Sequence, residues 1–224
     1  MTRCVSRTIA LATPLAVLAS LAAADSWLPP RPRIFASANG SYGFKVLEPK
    51  QTARGQLFAI DADGKDSVIW TAQLVNVPDR VFVHGDGKRV VTVNTYARLG
   101  YEHSLVLYDA AGKVLADYKL EDILTEKDIH QNVFQTAGSR WWDTHASFAF
   151  SSDRKQFVIT LDWQKAAADR IETKKRLLSA ANDAQQKRIQ QEIAELESLA
   201  SRPQERVIKL DLESGKLEGA GRSR

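Results

Sequence analysis

The chain has 224 residues, 44% of them apolar and 26% charged, with a formal net charge of +4. That length supports one sizeable hydrophobic core. The only cysteine is Cys4, which excludes an internal disulfide and any Cys-ligated zinc or iron–sulfur site.

Residues 1–24 read as a secretion signal. Arg3 and Arg7 form a basic start, Ile9 to Ala24 an apolar run, and Leu21-Ala22-Ala23-Ala24-Asp25 places small residues where a signal peptidase cuts. The run is shorter than the roughly 20 residues that span a bilayer and contains Pro14. The competing reading is an uncleaved N-terminal anchor. No Cys follows the run, which argues against a lipid-anchored form. Without Arg3 and Arg7 the net charge falls to +2, and the short basic tail Arg222-Ser223-Arg224 is too small to argue for nucleic acid. The expected location is periplasmic or secreted, with no stable membrane insertion once the signal is removed.

Residues 25–33 contain Leu28-Pro29-Pro30-Arg31-Pro32-Arg33, an extended Pro-rich linker. From 34 to 224 the chain repeats itself. Residues 34–46, 81–93 and 147–161 each place an apolar run before a turn and another after it. Asn39-Gly40, Asp86-Gly87 and Asp153-Arg154 mark those turns, the chemistry of antiparallel hairpins. A second hairpin follows in each unit: a strand, an Asp and a Gly-Lys turn, at residues 56–65, 104–113 and 206–216. Asn39 to Asp61 is 22 positions and Asp86 to Asp109 is 23.

Two hairpins per unit make four strands in about 40–45 residues, the period of one propeller blade. In these elements the chain resembles the WD40-like, YVTN and PQQ-type β-propeller repeats, over roughly residues 34–120 and 147–219. Gly-His and Trp-Asp pairs at blade positions and a Trp-docking motif for a quinone are missing, so the resemblance implies architecture and no functional residue. The expected fold class is mainly β: three antiparallel four-stranded blade-like repeats with a helical hairpin insertion. Three units are fewer than the four at which single-chain rings close. A degenerate fourth blade, an open array, a fragment of a larger propeller, or a ring completed by a second chain each fit, and the last leaves no sheet edge open.

The insertion lies in the third unit, where Asp153 to Asp211 is 58 positions. Residues 164–203 are rich in Ala, Lys, Gln and Glu, with Ile171, Leu178, Ile189, Ile193 and Leu196 at helical spacings. One helix of about 38 residues would separate its ends by about 57 Å, yet paired strands stand roughly 5 Å apart. The chain must therefore return. A turn near Ala181-Asn182-Asp183 lets Asn or Asp cap a second helix, which Pro203 ends. Its basic residues Lys174, Lys175, Arg176, Lys187 and Arg188 mix with Glu192, Glu195 and Glu197, the pattern of a solvated face or of a docking element.

Four histidines are the first candidates for chemistry. His84 stands where the sister units carry Ser37 and Ser151, which points to a turn-stabilising role. His103, His130 and His145 form no HxH or HExxH pair, so no metal or other cofactor is expected. The connection from Glu121 to His145 departs most from the repeat; residues 121–130 read as one short helix. Arg140, Trp141, Trp142, Asp143 and His145 are the candidate binding residues, because aromatics beside charged groups suit ligand or partner contact. The competing reading has the two Trp side chains as packing. An Asp143–His145–Ser147 triad fails on geometry, since same-face neighbours on a strand stand about 7 Å apart. The leading functional expectation is a non-enzymatic exported binding module that contacts a protein partner or another copy of itself. The alternative is a small polar ligand site, or an enzyme, near residues 139–147.

Overall fold

The structure, a computed structural model, describes residues 28–49, 53–201 and 205–220. The secretion signal over 1–24, the first positions of the linker, Pro203 and the basic tail lie outside the described residues. The protein is mainly β, with four antiparallel sheets and a few helices.

The first sheet contains β1 (Arg33–Ala36), β2 (Tyr42–Leu47), β3 (Arg54–Ile60) and β4 (Asp66–Gln73), in that order. The second contains β5 (Pro78–Val83), β6 (Val90–Thr95), β7 (Leu105–Tyr108) and β8 (Val114–Tyr118). A long connection follows, with α1 (Leu120–Ile123), α2 (Glu126–Asn132) and a small sheet of β9 (Phe134–Gln135) and β10 (Arg140–Trp141). The third large sheet begins with β11 (Ala146–Phe150) and β12 (Gln156–Asp162). The chain then leaves it for α3 (Trp163–Leu178) and α4 (Asp183–Ala200), and returns as β13 (Glu205–Asp211) and β14 (Leu217–Glu218).

The first hairpin of each large sheet is closed by the same side-chain device. Ser37 Oγ donates to Asn39 Oδ1 at 2.8 Å, and Ser151 Oγ donates to Asp153 Oδ1 at 2.6 Å. In the middle sheet His84 Nδ1 lies 2.6 Å from Asp86 Oδ1, so this histidine is a turn residue. The following position takes left-handed φ, which Gly40 and Gly87 adopt freely and Arg154 adopts at φ 59°. The second hairpins use a carboxylate. Asp61 Oδ1 accepts from the Asp63 and Lys65 N–H groups, and Asp109 Oδ1 from those of Ala111 and Lys113. Asp211 Oδ1 accepts from the Ser214 N–H. Each is a local substitute for a backbone turn bond.

Strand alternation builds the packing. Phe44, Val46 and Leu57 of the first sheet meet Val90, Val106 and Tyr108 of the second. Val91, Val93, Leu105 and Leu107 point the other way, onto Phe157, Ile159, Ile208 and Leu210 of the third sheet. The middle sheet is thus buried on both faces, and its strands β6 and β7 are near-continuous apolar runs. The outer faces differ. Lys45 and Gln56 lie on the free face of the first sheet, and Thr160 and Lys209 on that of the third. Tyr108 keeps its hydroxyl within reach of the Val75 N–H at 3.3 Å, and burial pushes that phenol up to about 12.

The two long helices form an antiparallel pair. Asp162 caps α3 by accepting from the Lys165 N–H, and Asn182 caps α4 by accepting from the Gln185 N–H at 3.1 Å. They share a small core of their own: Ile171, Ile193 and Leu196. Trp163 ties the base of α3 into the larger core, with Ala166 packed against it. Among the described residues no helix is long and apolar enough to cross a membrane.

Candidate functional site

The connection between the second and third sheets positions the site. Residues 121–130 are two helices rather than the single one expected. Thr125 starts the second by accepting the Asp128 N–H at 3.0 Å, while Asp128 accepts the Thr125 N–H at 3.2 Å. A reciprocal cap of this kind begins a new helix and so breaks the preceding one. Leu120, Ile123, Leu124 and Ile129 then anchor the segment in the main core.

The five residues singled out from the sequence divide into two groups. Trp142 is a core wedge, 2% exposed, with its indole N–H donated to Asn94 Oδ1 at 2.7 Å. Its ring meets Phe148 edge-on at 6.2 Å. Asp143 is buried beside it and pairs with Arg80 at 3.2 Å. Burial pushes its carboxyl above the ordinary value, and Arg80 offsets part of that rise. Arg140 pairs with Glu121 and lies 4.5 Å over the Tyr101 ring. Those three hold the connection against the second sheet. Trp141 and His145 face a cleft instead. Asp143 and His145 turn to different partners, so no relay runs through them to Ser147.

The cleft has a volume of about 550 Å³ and lies between the connection and α3. His130, Gln135, Trp141 and His145 line one wall. Asp169, Arg170, Thr173 and Lys174 line the other, one face of α3 read at i, i+1, i+4 and i+5. The walls are joined twice. His145 Nε2 lies 2.9 Å from Asp169 Oδ2, and Arg170 donates to the Gln131 carbonyl at 2.7 Å. Half-burial draws the Arg170 guanidinium below its usual range, opposed by Glu192. Lys174 is paired with Glu192. A carboxylate on one imidazole nitrogen orients the ring and leaves the other nitrogen to exchange a proton.

Sequence reasoning missed the α3 wall. Asp169 and Arg170 lie among charges of both signs, which read as a solvated helix face. The available signal was their spacing, which puts them with Thr173 and Lys174 on one side of the helix. Among the described residues no group of three or more His, Cys, Asp or Glu is placed to hold a metal ion.

No protein-family model and no curated protein sequence matches this chain. Among solved structures it is similar to the Pseudomonas aeruginosa periplasmic gluconolactonase, at 16% identity and a TM-score of 0.38. That match covers 85% of this chain and 39% of the other. It is also similar to a Bacteroides fragilis protein assigned as a 6-phosphogluconolactonase, at 15% identity and a TM-score of 0.34, covering 58% and 35%. The chain therefore spans under two fifths of the length of either. These findings correct the expectation of a non-enzymatic binding module: both similar structures carry the names of enzymes.

Proposed function

We propose that the protein is an exported β-propeller-like scaffold that binds and acts on a small polar molecule in the cleft between its connection and α3. One observation carries this reading. The two segments that depart from the repeat, the connection over residues 121–145 and the inserted helix α3, meet at a concave site. Concave sites with a few convergent polar groups beside aromatic surface are where small ligands bind. Trp141 offers a ring for stacking, and the His145–Asp169 pair offers an oriented base.

A panel of neutral sugars, sugar acids and their lactones tests it, read by Trp fluorescence, thermal shift and acid release. Binding by at least one class, weakened about tenfold or more in Trp141→Ala, is the expected result. Turnover that falls by about 10²–10⁴ in His145→Asn, with binding retained, supports the base. A panel without binding, or binding indifferent to both substitutions, refutes the cleft as the site.

A further inference from the structure

We infer that the cleft ligand carries an oxyanion, a carboxylate or a phosphate, seated on Arg170. This deepens the reading of the cleft as a ligand site and rests on it. The argument is an account of charge. Four basic groups line the cleft: His130, His145, Arg170 and Lys174. The acids within reach are already engaged. Asp169 is held by His145 at 2.9 Å, and Glu192 by Lys174 and, at 3.1 Å, by Arg188. Arg170 alone among the lining cations of α3 has no ion pair among the described residues; its one hydrogen bond goes to the neutral Gln131 carbonyl.

A guanidinium has five N–H donors in a rigid fork. Only one nitrogen, Nη1, is used by Gln131, so the rest of the fork remains for a ligand. Glu192 acts on Arg170 only from beyond ion-pair distance, and a cation partly withdrawn from water without a directly paired counter-charge is unfavourable, a cost that an oxyanion on the fork removes. Lys174 one turn along α3 adds a second positive charge on the same wall. Trp141 faces them across the cleft, which leaves an apolar surface for the uncharged part of the molecule.

The test is an NMR titration of the full chain at constant ionic strength with inorganic phosphate and, separately, with acetate. Signals are the Arg170 Nε–H and the Trp141 indole, with the buried Trp142 indole as a check on the fold. Saturable shifts with one or both anions, weakened at least tenfold in Arg170→Gln and partly restored in Arg170→Lys, are expected. The tighter anion identifies the group carried by the ligand. If the Trp142 signal moves in Arg170→Gln, Arg170→Lys decides, because it keeps the charge and loses the fork. Anion binding unchanged by both substitutions overturns the inference. So does an absence of saturation while neutral sugars still move Trp141, which leaves the cleft standing. If neither anions nor neutral sugars bind, the ligand site itself falls.

Discussion

Asn94 is the residue on which the placement of the connection depends most. It sits at the end of β6 with φ 59°, where a non-glycine residue is strained. Its Oδ1 accepts two buried donors, the Trp142 indole N–H at 2.7 Å and the Gly100 N–H at 3.1 Å. Asn94→Ala leaves both donors unpaired, at about 1–3 kcal/mol each, and keeps the left-handed backbone without the side chain that stabilised it, at about 1 kcal/mol more. The expected loss is about 3–7 kcal/mol, against a typical total of 5–15. Asn94→Gly recovers only the backbone part. Denaturant unfolding measures these differences, and a cycle with Trp142→Phe isolates the indole bond. A coupling of about 1–2 kcal/mol is expected for such a contacting pair. A loss under about 1 kcal/mol in Asn94→Ala, or zero coupling, refutes the claim that this amide pins the wedge.

Gly100→Ala tests the same junction from the loop side. A Cβ there would lie 2.5 Å from the Arg140 carbonyl oxygen, on a residue with φ 72°, so about 2–4 kcal/mol is lost, and a variant as stable as the parent would contradict the docking. Asp143→Asn should flatten the pH dependence of stability: burial raises the folded carboxyl above the ordinary carboxylate value, so the native state holds its proton longer and wild-type stability falls as pH rises through that interval. Equal slopes in the two proteins between about pH 4 and the folded value would remove this role for Asp143. Ile193→Ala empties part of a core made of only three buried residues, costing about 2 kcal/mol; hydrogen exchange should speed up in 163–200 and stay slow in the three large sheets, and uniform acceleration would show that the helices are not a separable unit.

The repeat was legible because hairpin turns are local chemistry. Asn39, Asp86 and Asp153 mark one turn, and Asp61, Asp109 and Asp211 the other, so the repeated turn chemistry marks both hairpins of each large sheet. The α3–α4 turn was legible for the same reason, since Asn182 accepts the Gln185 N–H and Gln185 accepts that of Asn182, three positions apart. The break at Thr125 was equally local and was still missed: its Asp128 partner completes a cap that reads as ordinary helix charge. What no local pattern contained was the division of labour between Trp141 and Trp142. Adjacent residues of one type went to opposite fates because Asn94, 48 positions earlier, offers an acceptor to only one of them.

The α3 wall was illegible for a deeper reason. A helix face turned to water and one whose charges line an open cleft have the same composition, because in both the charges remain solvated or paired. Only the position of α2 distinguishes them, and that position is set by Ile129 in the main core and by the Arg170–Gln131 bond. The helical pair cannot hold itself there on three buried side chains; it needs Trp163 in the sheet core and the two bridges across the cleft. The contacts that order the insertion are therefore largely the contacts that enclose the cleft. A ligand that binds between the walls then stabilises the docked insertion by mass action. Folding of the insertion and formation of the site become one equilibrium.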